Sequence, residues 1–220
     1  MTLGVVEQQA DAPAGLLGEW ARARGVDVRT LRAQELSEWP DPAGLVAVAA
    51  LGSDRSVARS PDPWIAAELR FLRAAHAGGV PVLGICFGAQ ALAAALGARV
   101  GRVPAPEIGW IELETAEAPL RGPWFSWHED AFELPSGARV LARSPAGVHA
   151  FAVDGSVGVQ FHPEVTPAIV GDWIDGDRGD LVAARIDADA LRAQTARLAG
   201  EAQARAFALF DAISANWTFR

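Results

Sequence analysis

Apolar positions along the chain form two kinds of run: short unbroken ones, and longer ones spaced three or four residues apart. The short runs predict strands buried on both faces, and the longer ones predict helices that cover them. Residues 3–7 read as a first strand, followed by a helix over 13–24 with Leu16, Leu17 and Trp20 on one face. The next strands are 26–29 and 45–50, the second ending in Gly52-Ser53-Asp54. Ser60, Pro61 and Pro63 mark the cap and first turn of a helix over 61–77, which Gly78-Gly79 closes. Residues 80–85 are then a central strand and 87–96 the helix that follows, stopped by Gly97. Strands alternating with helices predict the α/β class, with a mostly parallel sheet flanked by helices.

From about residue 107 the runs shorten. Residues 108–114, 139–143, 148–153 and 157–161 read as strands, the last two joined as a hairpin through Asp154-Gly155. They predict a small antiparallel portion. Helices return at 167–173 and 187–215, the second with Leu191, Leu198, Ala202, Leu209 and Ile213 along one side. The loop 175–180 divides the chain into a main domain, 1–175, and a C-terminal helical extension, 176–220, expected to pack on it or to offer a docking face. The aspartates of that loop lack the spacing and final glutamate of a calcium loop and read as a solvated linker. Residues 79–98 carry no charge and have the length of a membrane span, but Pro81, Gly84, Gly88 and Gly97 cut them into a strand and a helix. The N-terminus lacks the pattern of a signal peptide, so a cytoplasmic location is expected and membrane association is not.

Composition narrows the chemistry. Of 220 residues, 50% are hydrophobic and 21% charged, enough to bury a sizeable core. Nineteen basic residues against 27 acidic ones give a net charge of −8, which argues against a nucleic-acid partner. Every basic residue is an arginine. Without lysine, Schiff-base, pyridoxal-phosphate and P-loop chemistry are excluded. The single cysteine, Cys86, excludes intrachain disulfides and multi-cysteine zinc sites. The four histidines, His76, His128, His149 and His162, are scattered along the chain, so neither a metal nor an organic cofactor is expected.

The lone cysteine sits in Gly84-Ile85-Cys86-Phe87-Gly88, between a predicted strand and helix, as serine does in a G-x-S-x-G nucleophile elbow. A turn that sharp strains the backbone at residue 86 and needs small neighbours. In return the sulfur stands at a helix N-terminus, which favours the thiolate, and the Phe87 N–H can face an oxyanion. A base is available in Gln160-Phe161-His162-Pro163-Glu164, at a strand end, with a carboxylate two residues on to orient the imidazole. Of the eight tryptophans, Trp110, Trp124 and Trp127 fall near the expected substrate side. His149 reads as structural.

The two segments 84–90 and 159–166 together resemble a class I glutamine amidotransferase domain over about residues 1–175, nearest in type to the amidotransferase portion of GMP synthase. The resemblance implies a flavodoxin-like fold and a triad of Cys86 as nucleophile, His162 as base and then acid, and Glu164 as its orienting carboxylate. It places Gln90, and the segment Trp127-His128-Glu129-Asp130, at the glutamine site, with Trp127, His128 and Asp130 as substrate-binding candidates. The oxyanion hole falls to backbone N–H groups of Phe87 and of Gly52 or Ser53. Here Ser53 stands where the family has a second glycine, and Trp127 where it usually has serine. The implied activity is hydrolysis of glutamine to glutamate and ammonia through a thioester, needing no cofactor. The alternatives are a γ-glutamyl peptide or γ-glutamyl amine hydrolase, and a non-catalytic regulatory subunit. A separate synthetase subunit or a second copy of the chain is the expected protein partner.

Overall fold

A computed structural model describes residues 1–215 and 217. The order of elements is β1 (Thr2–Glu7), α1 (Gly15–Ala23), β2 (Asp27–Arg32), β3 (Ala47–Ala50), α2 (Pro63–Ala77), β4 (Val82–Ile85), α3 (Phe87–Ala95), β5 (Val100–Glu112), β6 (Pro123–Phe132), β7 (Arg139–Ser144), β8 (Gly147–Val153), β9 (Ser156–Val159), α4 (Pro167–Gly176), α5 (Arg178–Ala183) and α6 (Ala188–Ser214). A seven-stranded sheet runs in the order β2-β1-β3-β4-β9-β8-β7. Its first five strands are parallel, and β8 and β7 continue it antiparallel. A separate antiparallel pair is made by β5 and β6. The α/β class, the mostly parallel sheet and the small antiparallel portion are all present.

The pleat sorts the strand side chains into two cores. Leu3, Val5, Ala47, Ala49, Leu83 and Ile85 face one side, with Leu17 and Trp20 of α1 and Ala206, Leu209 and Phe210 of α6. Val6, Val48, Ala50 and Val82 face the other, with Ile65, Phe71 and Leu72 of α2 and most of α3. The C-terminal helix α6 packs back on α1, where the Trp20 indole N–H donates to Asp211 at 2.8 Å. A third cluster joins Phe125 of β6 to Ile169, Val170, Trp173 and Ile174 of α4. The uncharged stretch 79–98 is β4, a turn and α3, inside the molecule. No helix among the described residues is long and apolar enough to cross a membrane.

Local chemistry explains several boundaries. Asp154 and Gly155 have φ of 43° and 82°, the paired left-handed values of a two-residue hairpin turn between β8 and β9. The hydroxyl of Thr166 accepts from the Ile169 N–H and caps α4. Three expectations need correction. Helix α2 starts at Pro63 with Asp62 before it, while the Ser60 hydroxyl accepts the Ser56 N–H instead of capping a helix. The loop expected over 175–180 is largely helical, as the end of α4 and the start of α5. Residues 123–132, given no strand in the sequence reading, form β6, one of the longest strands.

Candidate active site

The carboxyl ends of β1, β3, β4 and β9 open on one side of the parallel sheet, where open α/β sheets bind ligands. The elbow is there. Cys86 lies between β4 and α3 with φ 51° and ψ −108°, a strained conformation for a residue with a Cβ. The flanking glycines make room for the turn. A Cβ on Gly84 would sit 2.5 Å from the Gly88 carbonyl oxygen, and one on Gly88 would sit 2.0 Å from the Ala50 carbonyl oxygen. These contacts involve backbone, which cannot swing aside, so the elbow and β3 admit only glycine at both positions.

The partners of Cys86 arrive from β9 and the loop after it. His162 Nδ1 lies 2.7 Å from Glu164 Oε1, with both side chains at most 3% exposed. Burial opposes a charge on His162, but Glu164 and Cys86 together outweigh it and raise its pKa to about 10. The loop is fixed by main-chain bonds, His162 N–H to the Phe125 carbonyl at 2.7 Å and Leu16 N–H to the Glu164 carbonyl at 2.8 Å. Gly15 lets α1 approach so closely, since its φ is 45° and a Cβ there would lie 2.2 Å from the Glu164 carbonyl oxygen. The Gln160 amide donates to the sulfur at 3.5 Å, and Cys86 Sγ lies 3.8 Å from the Trp127 carbonyl oxygen.

The oxyanion candidates are geometrically available. Phe87 is the first residue of α3, where a helix leaves its N–H groups without intrahelical partners. Gly52 follows β3 and must be glycine because a Cβ would lie 2.9 Å from His162 Cε1. Ser53 is not among the described non-glycine residues with positive φ, so a side chain at this position brings no backbone strain. Gln9 holds the loop, its side-chain carbonyl accepting from Ser53 Oγ at 3.0 Å and from Asp54 N–H at 2.7 Å.

A cavity of about 160 Å³ lies above the sulfur, lined by Cys86, Gln90, Trp127, His128, Asp130 and His162, among others. All the substrate-binding candidates therefore meet at one site. Asp130 accepts from Ser56 Oγ at 2.5 Å and pairs with Arg59, while Gln90 donates to the Asp130 carbonyl at 2.9 Å. The sequence reading missed Gln9, Ser56, Arg59 and Trp173, which also line the cavity. Only Gln9 carried a readable signal, as a polar residue just past a buried parallel strand. The tryptophans need correction. Trp124 stacks on Phe161 in the core and Trp110 bonds Thr195 of α6, while Trp173 joins Trp127 at the cavity, its ring centroid 4.9 Å from that of His162.

His128 turns its ring away from base chemistry at Cys86. Its Nδ1 lies 3.0 Å from the Asp130 carbonyl oxygen and its Nε2 lies 3.2 Å from Glu107 Oε2. His149 Nε2 lies 2.6 Å from the same oxygen. Glu107 is partly buried, but the two imidazoles and the Ser144 hydroxyl set against it hold its carboxyl well below the usual range. Burial pushes His128 down, against the pull of Glu107. Two of the four histidines, scattered in sequence, thus meet in space beside a carboxylate.

The family model described as glutamine amidotransferase class-I matches residues 22–172, more than half the chain. The chain belongs to the class I glutamine amidotransferase family. This amidotransferase chain is 45% identical over 97 residues to the GMP synthase [glutamine-hydrolyzing] of Aeropyrum pernix, covering 40% of the chain and 19% of that protein. With the protein of the same name from Thermus thermophilus it shares 40% over 129 residues, covering 52% and 24%. It thus spans only about a fifth to a quarter of these curated relatives. Among solved structures, a glutamine amidotransferase from Methylobacillus flagellatus superposes with TM-score 0.91 at 23% identity, covering 99% of this chain and 95% of that one. One from Thermotoga maritima gives 0.87 at 24% identity, with 97% of each chain covered. At these identities the superpositions establish the fold alone.

Proposed function

We propose that this amidotransferase hydrolyses the side-chain amide of L-glutamine to glutamate and ammonia through a thioester on Cys86. The observation that carries the reading is the strained Cys86 at the mouth of α3 facing a His162 held by Glu164 at 2.7 Å. The Cys86 proton passes to His162, and the sulfur attacks the amide carbon. N–H groups of Phe87 and of Gly52 or Ser53 receive the oxyanion. His162 returns the proton to the amide nitrogen as the C–N bond breaks, and ammonia leaves. Water then gives a proton to His162 and attacks the thioester, which releases glutamate and restores the thiol. Asp130, on the cavity wall, receives the substrate ammonium group.

The cavity of about 160 Å³ above Cys86 has room for an amino-acid substrate such as glutamine. The test measures glutamate and ammonia release from L-glutamine beside γ-glutamyl amines and γ-glutamyl dipeptides. We expect glutamine to be preferred, and Cys86→Ala to lower kcat by at least about 10⁴-fold. Faster turnover of the γ-glutamyl compounds would reassign the substrate. A wild-type chain that turns over none of them and forms no trappable thioester is a regulatory subunit. A synthetase subunit that consumes the ammonia is the partner we propose, and co-purification from the native cell tests it.

A further inference from the structure

Glu107, His128 and His149 come from β5, β6 and β8, three strands that belong to two different sheets. Their donor atoms lie within 4.8 Å of one another. Each is already oriented by a neighbour. The Asp130 carbonyl oxygen lies 3.0 Å from His128 Nδ1, the placement that commits that nitrogen to N–H and leaves the Nε2 lone pair toward Glu107. Ser144 Oγ donates to Glu107 Oε1 at 2.9 Å, and Oε2, which accepts from Ser126 Oγ at 3.3 Å, faces the two rings. His149 is 1% exposed, and neither of its ring nitrogens meets a partner at hydrogen-bonding geometry. Its Nε2 stands 2.6 Å from Glu107 Oε2 but off the line of a hydrogen bond.

Two imidazoles aimed at one carboxylate oxygen, one ring without a hydrogen bond and the other held by a backbone carbonyl, make a donor set of the kind that holds a cation. We propose that Glu107, His128 and His149 form a binding site for a divalent transition-metal ion such as Zn²⁺, which ties the β5–β6 pair to the main sheet. Imidazole and carboxylate suit zinc, and outer partners on the ligands are usual in such sites. Bonds of about 2.0–2.2 Å set neighbouring ligands of a tetrahedral ion about 3.4 Å apart. The spacings of 2.6 and 3.2 Å come within a small side-chain adjustment of that. Glu107, 17% exposed at its side chain, gives the ion a way in. The ion would brace His128, and with it Trp127 and Asp130 on the same strand, from behind the cavity.

The experiment titrates Zn²⁺ alone into the metal-stripped full chain carrying Cys86→Ala, which removes the competing thiol. Calorimetry should find one equivalent, and zinc at about a hundred times its dissociation constant should raise Tm by about 5 °C. Cys86→Ala/His149→Gln should bind at least about 100-fold more weakly. X-ray absorption on the loaded Cys86→Ala chain should show two imidazole ligands and oxygen, a readout that stands even where the double variant does not fold. No stoichiometric binding by Cys86→Ala, undiminished binding by the double variant, or fewer than two imidazoles at the ion each overturns the proposal.

Discussion

The elbow and the wall opposite it face the same cavity but are built by different physics. The elbow, β4 with α3, is apolar and shaped by backbone approach: Gly84 and Gly88 are needed where main chains nearly touch, and α3 is buried along almost its whole length. The wall, β5 with β6, carries polar residues inward. Ser126, His128 and Asp130 point to the interior at every second position of β6 and are at most 5% exposed. The elbow is specified by shape. The wall is specified by a hydrogen-bond network that runs through Glu107 and reaches Ser56, Arg59 and Ser144 outside the two strands. The strained cysteine therefore comes from local sequence, and the polar wall opposite it from long-range contacts.

That contrast can be broken experimentally. Beyond Cys86 itself, the largest effect is expected at Glu164→Gln, which should lower kcat by about 10³-fold because the imidazole loses both its orienting partner and its counter-charge. Glu164 and Cys86 raise the His162 pKa to about 10, so removing the carboxylate charge lowers it, and the alkaline limb of the kcat/KM profile moves to lower pH. The stability that comes from the charged His162 is full below its unfolded value near 6.5 and fades as pH rises toward 10, and Glu164→Gln should flatten that decline. An alkaline limb left in place would mean that His162 is not coupled to Glu164.

Gly88→Ala comes next. Its Cβ would meet the Ala50 carbonyl oxygen at 2.0 Å, so chemical denaturation should show a loss of about 3 kcal/mol. A loss under about 1 kcal/mol would mean that the elbow is less rigid than its geometry implies. Asp130→Asn, on the wall, should have the smallest effect. The amide keeps a carbonyl for Ser56 or Arg59 but loses the charge for a substrate ammonium, so KM should rise about tenfold with kcat changed less. A loss of kcat equal to that of Glu164→Gln would erase the distinction between the two regions.

The same contrast explains how far the chain could be read before folding. The parallel strands and their helices were readable because apolar runs and Gly or Pro stops set them locally. Cys86, His162 and Glu164 were readable because each lies in a short motif at a strand end. Strand β6 was not. Its inward positions are Ser126, His128 and Asp130 rather than the apolar residues that mark a buried face, so the alternation that signals a strand was hidden by the chemistry it serves. Arg59 and Trp173 gave no signal either, since a loop arginine and a helix tryptophan become cavity residues only where their elements land.

The sequence by itself determined the α/β layering, the strained cysteine and the histidine–carboxylate motif after β9, because hydrophobic period, glycine spacing and motif are properties of neighbouring residues. Only the tertiary structure decided the rest: which distant atoms force Gly52 and Gly88, how Gln9 holds the loop after β3, and that His128 and His149 converge on Glu107. Those are contacts between strands and loops far apart in the chain. Their distances are set by how the sheets pack, and no local pattern records them.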